Sequence, residues 1–307
     1  MIKYNKTYIL GKGMAELRNR KKTREQKREH LDAVCLSGGG INGIATLGAL
    51  EYFSRIFELE GVTKFCGTSI GAIICLLLVC GYKPREILEK LLREGEICSP
   101  LPKLSFFTNY GLNDSFPLEK KLEKLVEEKF GYIPTLSELF SATQKEFVCV
   151  CANLSAMRIE YFSRVTKPNT PCVEAVLLSC NAPGVFKKRE YAGNTYADGG
   201  IFDNYPLSVF DDGKTKILGI NIGSSGFSRE VNNFFDYMHR LMSFAAVQNS
   251  EKTFGPLVIN IKLKVEEFAF NLSVSDDRKI ELFGIGHIEA SKAYRELLSL
   301  RETLSAH

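Results

Sequence analysis

The sequence predicts an α/β domain with a mostly parallel central sheet and helices on both faces. Three observations point there. Short unbroken apolar runs such as Ala33-Val34-Cys35-Leu36 have the length and composition of strands buried on both sides, the kind that parallel sheets use. These runs alternate with stretches whose apolar residues recur at helical spacing, the order of a βαβ unit with its right-handed crossover. No internal repeat, low-complexity tract or Gly/Ser linker interrupts the 307 residues, so a single domain over 32–307 is expected behind a basic arm over 1–31.

The arm holds ten Lys/Arg against three Asp/Glu, a local charge of +7 within a chain of net +4, so the remainder is acidic. Its densest part, 18–28, has no aromatic residue among the cations, which argues against base stacking; nucleic acid is not an expected partner. A solvated leader or attraction to anionic lipid remains for it. After the strand 33–36 comes Ser37-Gly38-Gly39-Gly40-Ile41-Asn42-Gly43, then a helix carrying Ile44, Leu47, Leu50, Phe53 and Phe57. A strand over 62–65, a tight turn and an apolar helix over 73–79 follow, and Pro84 opens a further helix to Arg93. Residues 95–116 read as irregular yet carry Phe106, Phe107 and Tyr110, an aromatic content that argues against disorder and for a functional loop or plain packing.

Helices are expected over 117–130 and 135–143, strands over 146–152 and 158–163, and a helix over 173–180. A hairpin turning at Gly193-Asn194 then delivers Asp198. Strands over 217–222 and 258–261 bracket a long helix over 231–253. The last helix starts at Ser275 as N-cap, with Asp276 and Asp277 well placed in its first turn.

Composition, 45% apolar and 25% charged, is that of a globular protein. Nine cysteines without Cys-x-x-Cys spacing, distant from the four histidines, suit buried thiols in a reducing compartment better than a metal cluster. With no visible signal peptide and no apolar run long enough to span a bilayer, an intracellular location is expected, cytoplasmic or peripherally bound to a membrane.

The chemistry centres on Gly67-Thr68-Ser69-Ile70-Gly71, a Gly-x-Ser-x-Gly run between strand and helix. Gly67 and Gly71 leave room for a turn tight enough to raise the Ser69 hydroxyl above the sheet, and the following helix aims its N-terminal amides there. The glycine loop also fits Gly-x-Gly-x-x-Gly, a weak dinucleotide signal. The next strand, however, ends on Ser69 rather than on the acid a ribose would need. Adjacent parallel strands end side by side, so the amides of Gly38, Gly39 and Gly40 can face an oxyanion formed at Ser69, with Gly43 closing the loop. For a base, His30, His239, His287 and His307 are poorly placed. Asp198, followed by Gly199 and Gly200 where a second backbone can approach, is the better candidate.

Together these three motifs, in this order, resemble the signatures of the patatin-like phospholipases over about residues 33–207. The resemblance implies a single patatin-like domain with a serine–aspartate dyad, Ser69 as nucleophile and Asp198 as base. It also implies an oxyanion hole at Gly38–Gly40 and hydrolysis of acyl esters in phospholipids or related lipids through an acyl-enzyme. No metal or organic cofactor is implied, and a lipid substrate and a membrane surface are the implied partners. Asn42 stands where many members carry Lys or Arg, which leaves headgroup preference open. A catalytically silent lipid- or partner-binding module on the same scaffold is the competing possibility.

Overall fold

The computed structural model describes residues 28–93, 99–100, 110–224, 231, 237, 240–241, 244, 254–265 and 274–305. Most of the basic arm, Phe106, Phe107 and most of the helix expected over 231–253 lie outside the described residues.

Along the chain run β1 (Ala33–Leu36), α1 (Gly43–Phe53), β2 (Lys64–Thr68), α2 (Ile70–Val79) and α3 (Pro84–Arg93). β3 (Ser99–Pro100), β4 (Gly111–Asp114), α4 (Phe116–Phe130) and α5 (Leu136–Thr143) follow. Next come β5 (Glu146–Asn153), β6 (Arg158–Phe162), α6 (Cys172–Ser179), β7 (Gly184–Phe186), β8 (Arg189–Tyr191) and β9 (Asn194–Asp198). The chain continues through β10 (Ile217–Ser224), β11 (Val258–Val265) and α7 (Asp276–Ser305).

An eight-stranded sheet forms the centre, and its run β11-β10-β1-β2-β5 is parallel throughout. β1 is buried at every position, as expected for a strand covered on both faces. β11, at the edge, alternates buried and exposed residues, matching its Val-Ile-Asn-Ile-Lys-Leu-Lys-Val sequence. β3, β4 and β7 make a small separate sheet.

β5 organises the site. Its first half pairs with β2 as far as Thr68 opposite Val150, and its last residues pair with β9, Asp198 standing opposite Cys151. β6 pairs with β5 residues from both halves, so it occupies the other edge. β2 and β9 therefore share one edge of β5 and run toward each other, their C-terminal ends meeting at Val150 and Cys151.

The two faces of the sheet are covered differently. All seven described helices contribute to a core cluster that includes Val34, Leu36, Phe65 and Phe147. The alternate residues Ala33, Cys35, Cys66 and Val148 pack instead with Tyr205, Leu207, Phe210 and Phe254, around a 3₁₀ turn at Leu207–Val209. On that side, among the described residues, a close-lying segment packs directly on the sheet. Gly219 lets it approach: a side chain there would meet the Tyr205 hydroxyl at 2.0 Å. On the helical side, α1 and α7 cross closely. A Cβ on Gly48 would lie 1.9 Å from the Phe283 carbonyl oxygen, and one on Gly286 1.9 Å from that of Ala45. α7 starts as expected, with the Arg278 amide donating to the Ser275 hydroxyl. The eight described cysteines are buried and free. No described helix is long and apolar enough to cross a membrane.

Candidate active site

Where β2 ends, the chain reverses through Ser69, whose φ of 54° and ψ of −127° are unusual for a residue with a side chain. Such a conformation costs about 1–3 kcal/mol and persists only where its surroundings over-determine it. Here they do. The Ser69 N–H donates to the hydroxyl of the fully buried Ser179 at 3.0 Å. A Cβ on Gly67 would sit 2.4 Å from the Gly71 carbonyl carbon, and one on Gly71 2.5 Å from the Leu36 carbonyl oxygen. Both glycines are thus sterically required: the first turn of α2 is wedged against the ends of β1 and β2. Ser69 itself stays partly accessible.

Asp198 ends β9 and is almost fully buried. Its N–H donates to the Asn181 carbonyl at 2.9 Å, and its Oδ1 accepts from the Gly200 N–H at 2.7 Å. Burial pushes its pKa up to about 6, against the opposing pull of hydrogen bonds from the Ser69 side chain and the Gly200 amide. Among the described residues, the thiols of Cys151 and Cys180 lie close enough to sense its charge, and burial holds both of them protonated. Ser69 and Asp198 meet because β2 and β9 meet. Gly199 allows the close approach, since a Cβ there would strike the Val150 carbonyl oxygen at 2.3 Å.

The glycine loop lies on the other side of Ser69: a Cβ on Gly38 would come within 3.2 Å of the serine Cβ. Its three leading amides are not equivalent. The Gly38 N–H donates to the Asn204 carbonyl at 3.1 Å and is not free to meet an oxyanion. The amides of Gly39 and Gly40 donate to no protein acceptor among the described residues. Gly40 takes a φ of 55°, which explains a glycine there. Gly39 lies against β10, where a Cβ would meet Ile222 Cδ1 at 2.6 Å, and Gly43 packs α1 onto Ile70 at the start of α2. The Ser37 hydroxyl ties the loop to β10, accepting from the Ile222 N–H at 2.9 Å.

His30 pairs with Asp32 at 3.0 Å, just before β1 and so at the end of the sheet opposite Ser69. His287 stacks edge-on against Tyr52 in the α1–α7 crossing. His239 and His307 lie outside the described residues. Sequence inspection missed Ser179 and the pair Asp203-Asn204. The Thr68 hydroxyl donates to the Asp203 carbonyl at 2.9 Å and the Tyr161 hydroxyl to Asp203 Oδ2 at 2.8 Å. Their sequence signal is slight: one hydroxyl at the end of an apolar helix, and polar residues after a glycine turn. No group of His, Cys, Asp and Glu that could hold a metal ion occurs among the described residues.

Comparison with known proteins adds a family. The sequence model of a family described as patatin-like phospholipase matches residues 34–211, which hold all three motifs. The chain is similar to the uncharacterised protein R571 of Acanthamoeba polyphaga mimivirus, 29% identical over 83% of this chain and 92% of the viral one. It is also similar to the probable lipid hydrolase 463L of invertebrate iridescent virus 6, 30% identical over 60% of this chain and 64% of that protein. Among solved structures, VipD from Legionella pneumophila shares the fold, with a TM-score of 0.53 at 20% identity, over 87% of this chain and 67% of VipD.

Proposed function

The chain belongs to the patatin-like phospholipase family, and from that membership we propose that it is a lipid acyl hydrolase of phospholipase A type working through Ser69 and Asp198. The observation that carries this reading is the head-on meeting of β2 and β9 along β5, which sets the Ser69 side chain against a buried carboxylate. In the proposed reaction Ser69 Oγ attacks the ester carbonyl while Asp198 takes its proton. The amides of Gly39 and Gly40 hold the oxyanion, and the N-terminus of α2 adds positive potential. The expected role of Gly38 narrows to anchoring the loop. Collapse of the tetrahedral intermediate expels the alcohol, which takes the proton from Asp198. Water, deprotonated by the same carboxylate, then attacks the acyl-enzyme and releases the fatty acid. No metal or organic cofactor enters these steps. The substrate belongs to a bilayer or micelle, so contact with a lipid surface forms part of the proposal, and the lipid hydrolase relative supports that substrate class.

Hydrolysis of a p-nitrophenyl acyl ester tests the dyad. Ser69→Ala and Asp198→Asn are each expected to lower kcat at least about 1,000-fold, with circular dichroism unchanged. Near-full activity in either variant would refute it. Mass spectrometry of products released from mixed lipids would then fix the class of ester cleaved.

A further inference from the structure

Asn204 occupies a junction that none of the three motifs includes. Its carbonyl accepts the Gly38 N–H at 3.1 Å, and its Nδ2 donates to the Gly38 carbonyl at 3.5 Å, alongside the Ser37 hydroxyl at 3.0 Å, so both polar groups of Gly38 engage Asn204. Its Oδ1 lies 2.4 Å from where a Cβ on Gly38 would sit and 2.7 Å from where one on Gly200 would sit. The side-chain amide of Asn204 therefore fills the space that two motif glycines leave open, wedged between the loop beside Ser69 and the turn after Asp198. The wedge is itself fixed. Its neighbour Asp203 is held by Thr68 from β2 and Tyr161 from β6, and Tyr205 on the other side donates its hydroxyl to Asn260 of β11 at 2.9 Å.

We propose that Asn204 is a positioning residue of the reaction: it locks Gly38 so that the Gly39 amide faces the carbonyl that Ser69 attacks. The inference rests on the Ser69–Asp198 reading and extends it. Holding Gly38 by both its N–H and its C=O fixes the peptide planes on either side of it, and the second of these planes carries the Gly39 N–H. It also fixes the glycine loop to the segment that carries Asp198, so that base and oxyanion donors keep one spacing. A misplacement of about 1 Å in such a constellation costs about 100-fold in rate.

The test uses the full chain with a short p-nitrophenyl ester, comparing Asn204→Ala, Asn204→Asp and Ser69→Ala with the parent protein and following thermal unfolding of each. Asn204→Ala is expected to lower kcat about 10- to 100-fold while KM stays within about threefold, because the loop acts on the transition state rather than on bound ester. Asn204→Asp keeps the side-chain shape but brings a further carboxylate toward Asp198, beside the side chain of Asp203, which Tyr161 holds, and the protonated thiols of Cys151 and Cys180. The acid limb of its kcat/KM profile is expected to move to higher pH, which loss of packing alone would not do. Parental kcat and an unmoved acid limb in the folded variants would overturn the inference. Should Asn204→Ala fail to fold, the acid limb of Asn204→Asp decides. Activity surviving in Ser69→Ala would overturn the dyad and this inference with it, whereas loss there with both Asn204 variants unchanged would overturn this inference alone.

Discussion

A carboxylate that takes a proton from an alcohol near neutral pH must be ionised and yet basic, and the burial of Asp198 sets these demands against each other. Desolvation lifts its pKa from an ordinary 3.8 to about 6, which makes it a better base while leaving it charged at neutral pH. The same shift carries a stability consequence. Between about pH 4 and 6 the folded chain binds this proton more tightly than the unfolded chain, so folding stability falls as pH rises through the window. By about pH 7 the loss is up to about 3 kcal/mol. Activity runs the other way, since only the ionised form can accept the serine proton. Asp198→Asn should therefore unfold at a higher temperature than the parent at about pH 7.5, with the advantage gone near pH 4, while the parent's kcat/KM falls on the acid side with a limb near pH 6. Scanning calorimetry of both proteins across pH checks the first, and an Asn variant whose advantage over the parent is no greater at pH 7.5 than at pH 4 would contradict it.

Among the elements, α7 shows how two glycines in one helix can have opposite meanings. Gly286 sits in the crossing with α1, where a Cβ would lie 1.9 Å from a carbonyl oxygen that cannot move without breaking α1. Gly284 has open space around its α-carbon. Gly284→Ala should stabilise the protein by about 0.5–1 kcal/mol through helix propensity, whereas Gly286→Ala should destabilise it by about 1–3 kcal/mol through overpacking. Urea unfolding of the two variants reads both signs, and equal shifts would contradict the close crossing. α1 carries the glycine loop at its N-terminus, so Gly286→Ala should also lower esterase activity. What the sequence made legible at this scale follows the same logic. The elbow could be found because Gly67 answers to a clash within its own turn and stands with Gly71 at a fixed spacing around Ser69, and the Ser275 cap because it answers to one helix end. The engagement of Gly38 by Asn204 could not, because it arises only where two segments far apart in the chain come together.

For the molecule as a whole, the family match ends at residue 211, but the site does not. β10 lies beyond that point and pairs with β1 along its full length, giving the sheet its continuity on the side of the glycine loop. Ile222 at its C-terminal end props Gly39, and the Ile222 amide holds Ser37. Asp211 in turn accepts from the Gly255 N–H at 2.8 Å, tying the last matched residue to the approach of β11. In the sequence, 217–222 reads correctly as a strand, yet nothing local says that it borders β1 or that its isoleucine touches the loop; parallel neighbours distant in the chain leave no short-range trace. A chain ending after Asp211 would bare one edge of β1 and the face of α1 that α7 covers, removing Leu218, Ile220, Ile259, Ile261 and Leu282 from the core. Such a truncation is expected to lose cooperative thermal unfolding and all Ser69-dependent esterase activity, although it retains every motif residue. A soluble, cooperatively folded and active fragment would mean that the motifs organise the oxyanion loop without β10.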